Sequence, residues 1–309
     1  MIAVAIFSFV LLDLSPIDPV SAYLKGTAVS ESQRAILESY FGVNVPLTTK
    51  IYHWLVELMH ANLGTSLVYR APVTDVIIEK FSASAVLMAL SWLLSGIFGF
   101  LIGIVAGKNK GSMIDKAVKV YCYAIQSAPP FWVGMLILMI FAIYLGWFPI
   151  GLGVPIGVKS TDATFIDWAS RLVLPTLTLS LVGLAPIAMY TRNELIQVLS
   201  SDYVLFAKSR GEKGWDLIKN HGIRNILLPA VTLQFLSFSE LFGGAVMVEQ
   251  VFSYPGIGQT AVAAGLQNDV PLFLGIVVIS AIFVFVGNLL ADLSYYLINP
   301  RIKESEFSD

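Results

Sequence analysis

Long apolar stretches divide the chain into candidate membrane-spanning helices. A helix needs about twenty mostly apolar residues to cross the hydrocarbon core of a bilayer. Stretches long enough for this lie at residues 83–106, 118–145, 172–191, 225–248 and 271–298. Residues 1–14 are predicted as the first transmembrane helix, but their apolar part is short, so either this helix is short or the true start lies upstream. The pattern predicts an all-α membrane protein with six transmembrane helices.

The polar stretch at residues 15–81 is predicted to form a helical segment after the first span. Ser30 and Gln33 have the spacing of a capping box, in which each side chain bonds the backbone N–H of the other residue at a helix start. Apolar residues recur at helical spacing between Leu47 and Leu58, which predicts a second, amphipathic helix. This segment either meets another protein or covers the ends of the spans.

Small residues line one face of the predicted span at residues 83–106. They recur at every fourth position, at Ser91, Ser95, Gly99, Gly103 and Gly107. Small side chains at this spacing let two helix backbones approach closely in a membrane, where van der Waals packing replaces the hydrophobic drive. We therefore predict a seam of close helix packing along this face.

Two adjacent prolines interrupt the predicted span at residues 118–145. A proline inside a helix removes a backbone donor and leaves carbonyl groups that neighbouring helices or a wet cavity must satisfy. Pro129 and Pro130 therefore mark either a kink in this span or part of a water-lined pathway through the bundle.

Composition agrees with a membrane protein. Of the 309 residues, 56% are hydrophobic and 13% are charged. A soluble domain carries about 25% charged residues, roughly twice this fraction. The formal net charge of −2 gives no reason to expect a nucleic-acid partner. The single cysteine, Cys122, lies in an apolar run and excludes an intrachain disulfide.

Lysine and arginine residues are distributed unevenly between the predicted spans, which indicates the orientation. Basic residues are concentrated after the second span and in residues 192–228, at Lys108, Lys110, Lys116, Lys119, Arg192, Lys208, Arg210, Lys213, Lys219 and Arg224. The short loops between these two regions carry only Lys159 and Arg171. Because positively charged loops stay in the cytoplasm, residues 192–228 are predicted to be cytoplasmic, as are both termini and the tail at residues 300–309. The segment at residues 15–81 is then external.

Motifs for chemistry within this chain are missing. The sequence contains no G-x-x-x-x-G-K-[ST] loop, so ATP, if it is used, must be bound by another chain. His53 and His60 lie about 10 Å apart along a helix axis, which is too far to share one metal ion. Three scattered histidines and one cysteine form no catalytic constellation. We predict no enzyme, no metal site and no cofactor bound by this chain.

The longest polar interruption in the apolar second half runs from residue 202 to residue 229 and is predicted to be structured. Ser201 or Asp202 is placed to cap a short helix. The apolar residues of this helix, Tyr203, Phe206 and Ala207, lie three and four positions apart and therefore share one face. The stretch thus begins with a short amphipathic helix.

Gly211 is predicted to end this helix, because glycine adopts the left-handed conformation without a Cβ clash. A second short helix is predicted from about Trp215 to His221, and Pro229 lies one turn inside the next apolar segment. The stretch is thus predicted to form two short helices joined by a glycine turn, between two spans. Such a structure can dock in a groove of another protein.

This stretch resembles the cytoplasmic coupling loop, or EAA motif, of ABC importer permeases, in the form found in dipeptide, oligopeptide and nickel permeases. The residues that match this form are Asp202, Tyr203, Val204, Ala207, Arg210, Gly211, His221, Arg224, Asn225, Leu228 and Pro229. Leu205 and Phe206 depart from the general family, which has Glu and Ala there, and peptide-type members commonly vary at these positions. Residues 62–66, 70–73 and 249–259 resemble further segments of the same subfamily.

The resemblance extends from Pro16 to Arg301 and implies a permease core domain at residues 82–299 with five transmembrane helices. It implies a subunit that forms the pathway for peptides or nickel and related chelates across the bacterial plasma membrane. The implied partners are a second homologous permease, two ATP-binding subunits, an extracytoplasmic substrate-binding protein and membrane lipid. An ion-coupled secondary transporter is the alternative function.

Five residues of the coupling loop, residues 192–228, are candidates for contact with an ATPase subunit. Ala207 and Gly211 are small and are expected to let the loop enter a cleft, and Arg210 matches the motif beside them. Phe206 or Tyr203 is expected to supply the apolar anchor. Bulk at Gly211 is expected to clash and to destroy the turn.

Four residues elsewhere are candidates for the translocation pathway or its gate. Glu240 lies near the middle of the span at residues 225–248, where a charge costs about 2.5 to 3.5 kcal/mol on insertion scales. It either lines the pathway and meets a charged end of the substrate, or makes a hydrogen bond in helix packing. Pro255 and Gly256 permit a tight turn that suits an outer gate or a plain interhelical turn, and Glu249 either belongs to that gate or caps the region.

Overall fold

The computed structural model describes residues 6–10, 19–24, 29–40, 45–154 and 162–298, and the elements within these ranges are helices. They are α1 (Pro19–Leu24), α2 (Glu31–Tyr40), α3 (Leu47–Met59), α4 (Val73–Lys108), α5 (Met113–Ser127), α6 (Pro130–Ile137), α7 (Phe165–Leu199), α8 (Asp202–Ser209), α9 (Trp215–Leu217), α10 (Ile223–Leu236), α11 (Phe238–Val251), α12 (Ile257–Leu266) and α13 (Val270–Ile298). Two π-helical segments, Leu138–Tyr144 and Ile218–Gly222, continue α6 and α9. The predicted all-α class is confirmed for the described residues.

Three helices are long and apolar enough to cross a membrane, namely α4, α7 and the part of α13 at Val270–Leu293. Two bent pairs are further candidates: α5 meets α6 with its π-helical continuation at 111°, and residues Trp215–Leu236 meet α11 at 49°. The described residues thus hold three candidate spans, or up to five if each bent pair counts as one. The predicted first span lies mostly outside the described residues, although residues 6–10 are helical. The six-span arrangement stays a prediction.

The double proline breaks the predicted span at residues 118–145 into two helices. The predicted kink is confirmed, since α5 ends at Ser127 and the chain then bends by 111°. A water-lined pathway at the two prolines stays a prediction. A residue before proline disfavours the helical conformation, and Ala128 and Pro129 are both extended, with ψ of 132° and 141°. Pro130 then begins α6, at a position where its missing N–H has no helical partner to lose.

The chain divides into two compact units. One comprises Met1–Ser84 and Pro255–Phe283, and the other comprises Ala85–Tyr254 and Val284–Asp309. In the first unit the predicted capping box is confirmed, because Ser30 N donates to Gln33 Oε1 (3.2 Å) and Gln33 N donates to Ser30 Oγ (3.3 Å). The predicted amphipathic helix is confirmed as α3.

A buried carboxylate, Asp269, organises the loop before α4 in the same unit. Its Oδ2 accepts hydrogen bonds from Ser66 Oγ (2.6 Å) and Val68 N (2.9 Å). Its Oδ1 accepts from Leu272 N (3.2 Å) in the first turn of α13. Because a buried carboxylate needs donors that replace water, these bonds attach residues 66–68 to the start of α13. Sequence analysis did not predict this link.

In the second unit, α4 packs against α7 along the predicted seam of small residues. A Cβ added at Gly99 would lie 2.9 Å from Ile187 Cβ, and one at Gly103 would lie 2.6 Å from Thr191 Cβ. Carbon atoms are in favourable contact at about 3.5 to 4.0 Å, so neither position accommodates a side chain without displacing α7. The predicted packing seam is confirmed.

Candidate functional site

Helix α8 begins where the first helix of the coupling loop is predicted. Ser201 occupies the N-cap position, but its hydroxyl donates to the carbonyl of Val198 (2.6 Å) and makes no capping bond to α8. Asp202 is the first helical residue, where a carboxylate is favoured by the helix dipole. The helix start is thus confirmed, whereas the predicted cap by the Ser201 side chain is wrong.

One face of α8 is buried against neighbouring parts of the chain. Val204, Ala207 and Leu217 form an apolar cluster, and Val198 and Leu199 at the end of α7 pack against it. Ala207 is 5% exposed and packs within this chain, and whether its small size lets the loop enter a cleft of another protein stays a prediction. Its small side chain lets α8 approach α9. We call residues 202–222 the amphipathic segment.

The opposite face of the amphipathic segment exposes large apolar side chains. Phe206 is 65% exposed, and Tyr203, Leu205 and Trp215 are each about half exposed. Arg210 is also exposed and occupies the C-cap of α8. Phe206 and Tyr203 are therefore accessible, and Arg210 adds a positive charge beside them. Their role as apolar anchors stays a prediction.

The predicted glycine turn after α8 is confirmed. Gly211 has a φ of +98°, in the left-handed region that favours glycine. Glu212 N donates to Ala207 O (3.2 Å), and Gly211 N donates to Lys208 O (3.0 Å), which is the Schellman pattern that satisfies the last carbonyls of a helix. A Cβ at Gly211 meets no atom of the described residues within 4 Å. The predicted clash thus finds no support at the Cβ, and the backbone conformation is what opposes a side chain there.

Polar side chains join the two halves of the amphipathic segment. His221 Nε2 lies 3.1 Å from Glu212 Oε2, across the turn. Asn225 Nδ2 donates to the Tyr203 hydroxyl (3.2 Å) and to the His221 carbonyl (2.6 Å). His221 and Asn225 belong to the matched motif, but sequence analysis gave them no role. Their contacts indicate that they fix the angle between the two short helices.

The amphipathic segment is also attached to the ends of α4 and α7. Ile218 and Ile226 pack with Leu195 of α7 and Ile104 of α4 in a buried apolar cluster. The Lys108 ammonium lies 5.1 Å from the centre of the exposed Trp215 ring. The segment is thus held by buried apolar contacts at its base, and Lys108 contacts Trp215 on its outer face.

A buried ion pair lies near this base and was not predicted. Asp115, in the first turn of α5, has no exposed surface. Arg192 Nε and Nη2 donate to its two carboxylate oxygens at 2.5 and 2.9 Å, and Gly111 N donates to Oδ2 at 2.8 Å. Bidentate pairs of this kind are among the strongest polar contacts in proteins. The Ser112-x-x-Asp115 spacing, which caps α5 through Ser112 Oγ, was a signal that sequence analysis overlooked.

Glu240 lies in the first turn of α11, directly after the 49° bend. Its side chain is exposed within this chain, and whether it lines the pathway stays a prediction. The buried acids among the described residues are Asp115, Glu249 and Asp269. No hydrogen bond to the Glu240 carboxylate is found within the described ranges, so the alternative of a packing bond within this chain finds no support.

Trp92 of α4 braces the bend between α10 and α11. Its indole N–H donates to the carbonyl of Gln234 (2.9 Å), and Gln234 Nε2 donates back to the carbonyl of Trp92 (2.6 Å). The Ser237 hydroxyl donates to the same Gln234 carbonyl (2.8 Å), at the residue where α10 gives way to α11. Phe235 and Phe238 lie against the Trp92 ring, with centroid distances of 5.0 and 6.0 Å. Sequence analysis singled out none of these residues.

Glu249, predicted to belong to a gate or to cap this region, is fully buried near the end of α11. Its carbonyl accepts the backbone N–H of Tyr254 (2.9 Å). Burial raises the pKa of the Tyr254 phenol, and the charge of Glu249 raises it further. The end of α11 is thus buried, although it carries the polar side chains of Glu249 and Tyr254.

The structure differs from the predicted turn at Pro255 and Gly256. Gly256 is extended, with φ −94° and ψ −176°, and precedes α12, a helix that was not predicted. The left-handed residue nearby is Ser253, with a φ of +47°. The interpretation that glycine makes the turn at this point is therefore wrong. Whether Pro255 and Gly256 contribute to a gate stays a prediction.

Helices long enough to span a bilayer, with an amphipathic segment between candidate spans, define the class of integral membrane proteins. Residues 99–304 match the family described as binding-protein-dependent transport system inner membrane component. The chain belongs to this family, that of the ABC importer permeases. Family and apolar helices together indicate a multi-pass protein of the plasma membrane.

Relatives with curated names agree over almost the full chain. The chain is 32% identical over 306 residues to the oligopeptide transport system permease protein AppB of Bacillus subtilis (strain 168), covering 98% of this chain and 95% of that protein. It is 34% identical over 304 residues to the probable peptide ABC transporter permease protein y4tP of Sinorhizobium fredii, and the match covers 98% of this chain and 95% of that protein. It is 31% identical over 315 residues to the di/tripeptide transport system permease protein DppB of Pseudomonas aeruginosa, with 97% and 94% covered. These relatives are named as transport permeases and not as enzymes.

A solved structure has a similar fold. It is described as a crystal structure of an amino acid ABC transporter with histidines, and it matches with a TM-score of 0.53 at 14% identity. The match covers 72% of this chain and 94% of that chain. At this identity the likeness concerns the fold alone, and it agrees with the family assignment.

Proposed function

We propose that this chain is one permease subunit of an ATP-driven importer and forms part of the pathway for peptides or for nickel and other metal chelates. The named relatives that carry peptides support the first substrate class. In this proposal six spans place both termini and the amphipathic segment in the cytoplasm, and residues 15–81 outside. A second permease, two ATP-binding subunits and an extracytoplasmic binding protein complete the transporter, and the ATP-binding subunits hold the ATP.

The observation that carries the proposal is the two-faced construction of the amphipathic segment. Its inner face is buried by Val204, Ala207 and Leu217, so its position is fixed by the rest of the chain. Its outer face exposes Phe206 and Tyr203 beside the charges of Lys208 and Arg210. Apolar anchors on a short helix with a polar rim are typical of a helix that docks in a groove. We assign this face to an ATP-binding subunit.

The exposed Glu240 is the residue that we assign to the pathway. Because its carboxylate is exposed in this chain and stands at a bend between two helices, it is available to a substrate or a second permease subunit. A cationic group, such as the amino end of a peptide, suits a carboxylate at this position. Glu240→Gln is expected to reduce uptake of substrates with a free amino group more than uptake of neutral ones, as measured in proteoliposomes.

The docking proposal is tested by co-purification of the ATP-binding subunits with solubilised permease. Phe206→Ser removes the most exposed anchor of the outer face and is expected to reduce co-purification at least several-fold. Phe165→Ser is the matched control, because Phe165 is an exposed aromatic residue at the opposite end of α7. Equal loss in both variants, or no loss in either, would contradict the assignment of this face.

Uptake that survives ATP depletion but requires an ion gradient would instead favour a secondary transporter.

A further inference from the structure

The buried pair of Asp115 and Arg192 joins two parts of the second unit that the proposed function leaves unconnected. Arg192 lies on α7, about two turns before the end of that helix at Leu199. Asp115 lies at the start of α5, the helix that ends at the 111° break. Along the chain, the pair therefore connects the helix that precedes the amphipathic segment with the helix that leads to the 111° bend.

The amphipathic segment and the end of α7 are packed as one body. Leu195 of α7 contacts Ile218 and Ile226 in one buried cluster. A Cβ at Gly222 would lie 2.9 Å from Leu195 Cδ1, so the backbone of the segment rests directly on this side chain. A force on the outer face of the segment is thus carried to the end of α7, where Arg192 lies.

Helices α5 and α7 run antiparallel, with Asp115 beside Arg192 at one end of the contact and the Tyr121 hydroxyl on the Leu181 carbonyl (3.0 Å) further along. Next to these bonds the contact is apolar, and Cys122 lies with Ala185 and its neighbours of α7 in one buried cluster. Apolar contacts are non-directional. A bidentate ion pair has a defined geometry, so the Asp115–Arg192 pair adds a fixed point to the register of the two helices.

We propose that Asp115 and Arg192 are positioning residues that transmit movement of the amphipathic segment through α5 to the break at Pro129. The inference rests on the proposed function, since it assumes that ATP-binding subunits move the segment. With the pair intact, α5 follows α7, and the displacement arrives at Ser127 to Pro130, where the chain bends. Without the pair, α7 moves while α5 lags behind, so ATP hydrolysis is no longer converted fully into opening of the pathway.

The test uses the complete transporter in proteoliposomes, with ATP hydrolysis and substrate uptake measured in the same preparation. Asp115→Asn keeps the shape of the side chain but removes its charge. It is expected to leave the ATP-binding subunits bound and hydrolysis largely intact, while uptake per ATP falls roughly tenfold, within the usual range of coupling between sites. Arg192→Lys keeps the charge but loses the paired donors, so a smaller loss is expected. Asp115→Glu keeps the carboxylate and its charge and is expected to retain most of the wild-type uptake per ATP.

Glu38→Gln is the matched control, because it breaks the exposed Arg34–Glu38 pair (3.0 Å) within α2 and connects no separate helices. Its uptake per ATP is expected to equal that of the wild type. Unchanged uptake per ATP in Asp115→Asn, or a loss explained entirely by missing ATP-binding subunits, would overturn the inference. Failure of the wild-type complex to show ATP-dependent uptake contradicts the proposed function itself. If the wild type shows normal uptake and Asp115→Asn has the same uptake per ATP, only the role of the Asp115–Arg192 pair is contradicted.

Discussion

The amphipathic segment and the bend at Ser237 are both interruptions between long helices, but they are held in different ways. The segment rests on a buried apolar cluster, and its turn is closed by backbone hydrogen bonds. The bend is braced by the reciprocal bonds of Trp92 and Gln234 and by the Ser237 hydroxyl. Many non-directional contacts make a body that moves as a whole, whereas a few directional bonds make a joint whose angle changes when they break. The amphipathic segment is therefore suited to move as a unit, and the bend at Ser237 is suited to change its angle.

The largest expected effect comes from a charge in the buried cluster of the segment. Ala207→Asp places a carboxylate among Val204 and Leu217, and an unpaired buried charge costs about 3 to 5 kcal/mol. We expect the segment to unfold locally while the spans remain, which hydrogen exchange of the amides at residues 202–222 measures. Leu205→Asp is the control on the exposed face and should leave exchange unchanged. Equal protection in Ala207→Asp and the wild type would show that the cluster does not hold the segment.

A smaller effect is expected at the turn. Gly211→Val forces a β-branched residue into a left-handed conformation, which costs about 1 to 2 kcal/mol. Since a Cβ at this position meets no atom of the described residues within 4 Å, the protein should still accumulate in the membrane. We expect ATP hydrolysis to become uncoupled from uptake, which parallel assays of the two rates measure. Gly146→Val is a control at another glycine of positive φ, +62°, with equally open surroundings and outside the segment. Wild-type uptake in Gly211→Val would count against a role for the turn.

The smallest expected effect tests the joint. Trp92→Phe keeps an aromatic ring against Phe235 but removes the N–H that bonds the Gln234 carbonyl. The loss of one such bond costs about 1 kcal/mol, and the Ser237 hydroxyl still satisfies the carbonyl. We expect a small decrease in the melting temperature of the solubilised protein together with a clear change in uptake rate. A change in melting temperature with normal uptake would mean that the brace is only structural.

Features set by neighbouring residues were predictable from the sequence. The capping box of α2, the glycine turn after α8 and the packing seam of α4 each depend on residues within a few positions of one another. Their signals are the spacing of Ser30 and Gln33, a glycine at the end of an apolar pattern, and small residues at every fourth position. Such patterns act through local backbone geometry, so they survive without knowledge of the tertiary fold.

Features that depend on distant partners were missed. Asp115 and Arg192 are 77 positions apart, and Trp92 and Gln234 are 142 positions apart, so no local pattern connects them. Glu240 shows a second reason, because an apolar run indicates that a residue lies in a helix but not which face it occupies. The double proline marked the break between α5 and α6, but its 111° angle depends on how the two helices pack.

The most direct test of the central claim is labelling of Phe206→Cys with a membrane-impermeant maleimide, since Cys122 is buried and does not compete. The proposed arrangement predicts no labelling in intact cells, labelling in inverted vesicles, and protection in those vesicles when the ATP-binding subunits are added. Labelling from the outside of intact cells would contradict the orientation. Labelling in inverted vesicles that the ATP-binding subunits leave unchanged would contradict their docking on the outer face of the amphipathic segment.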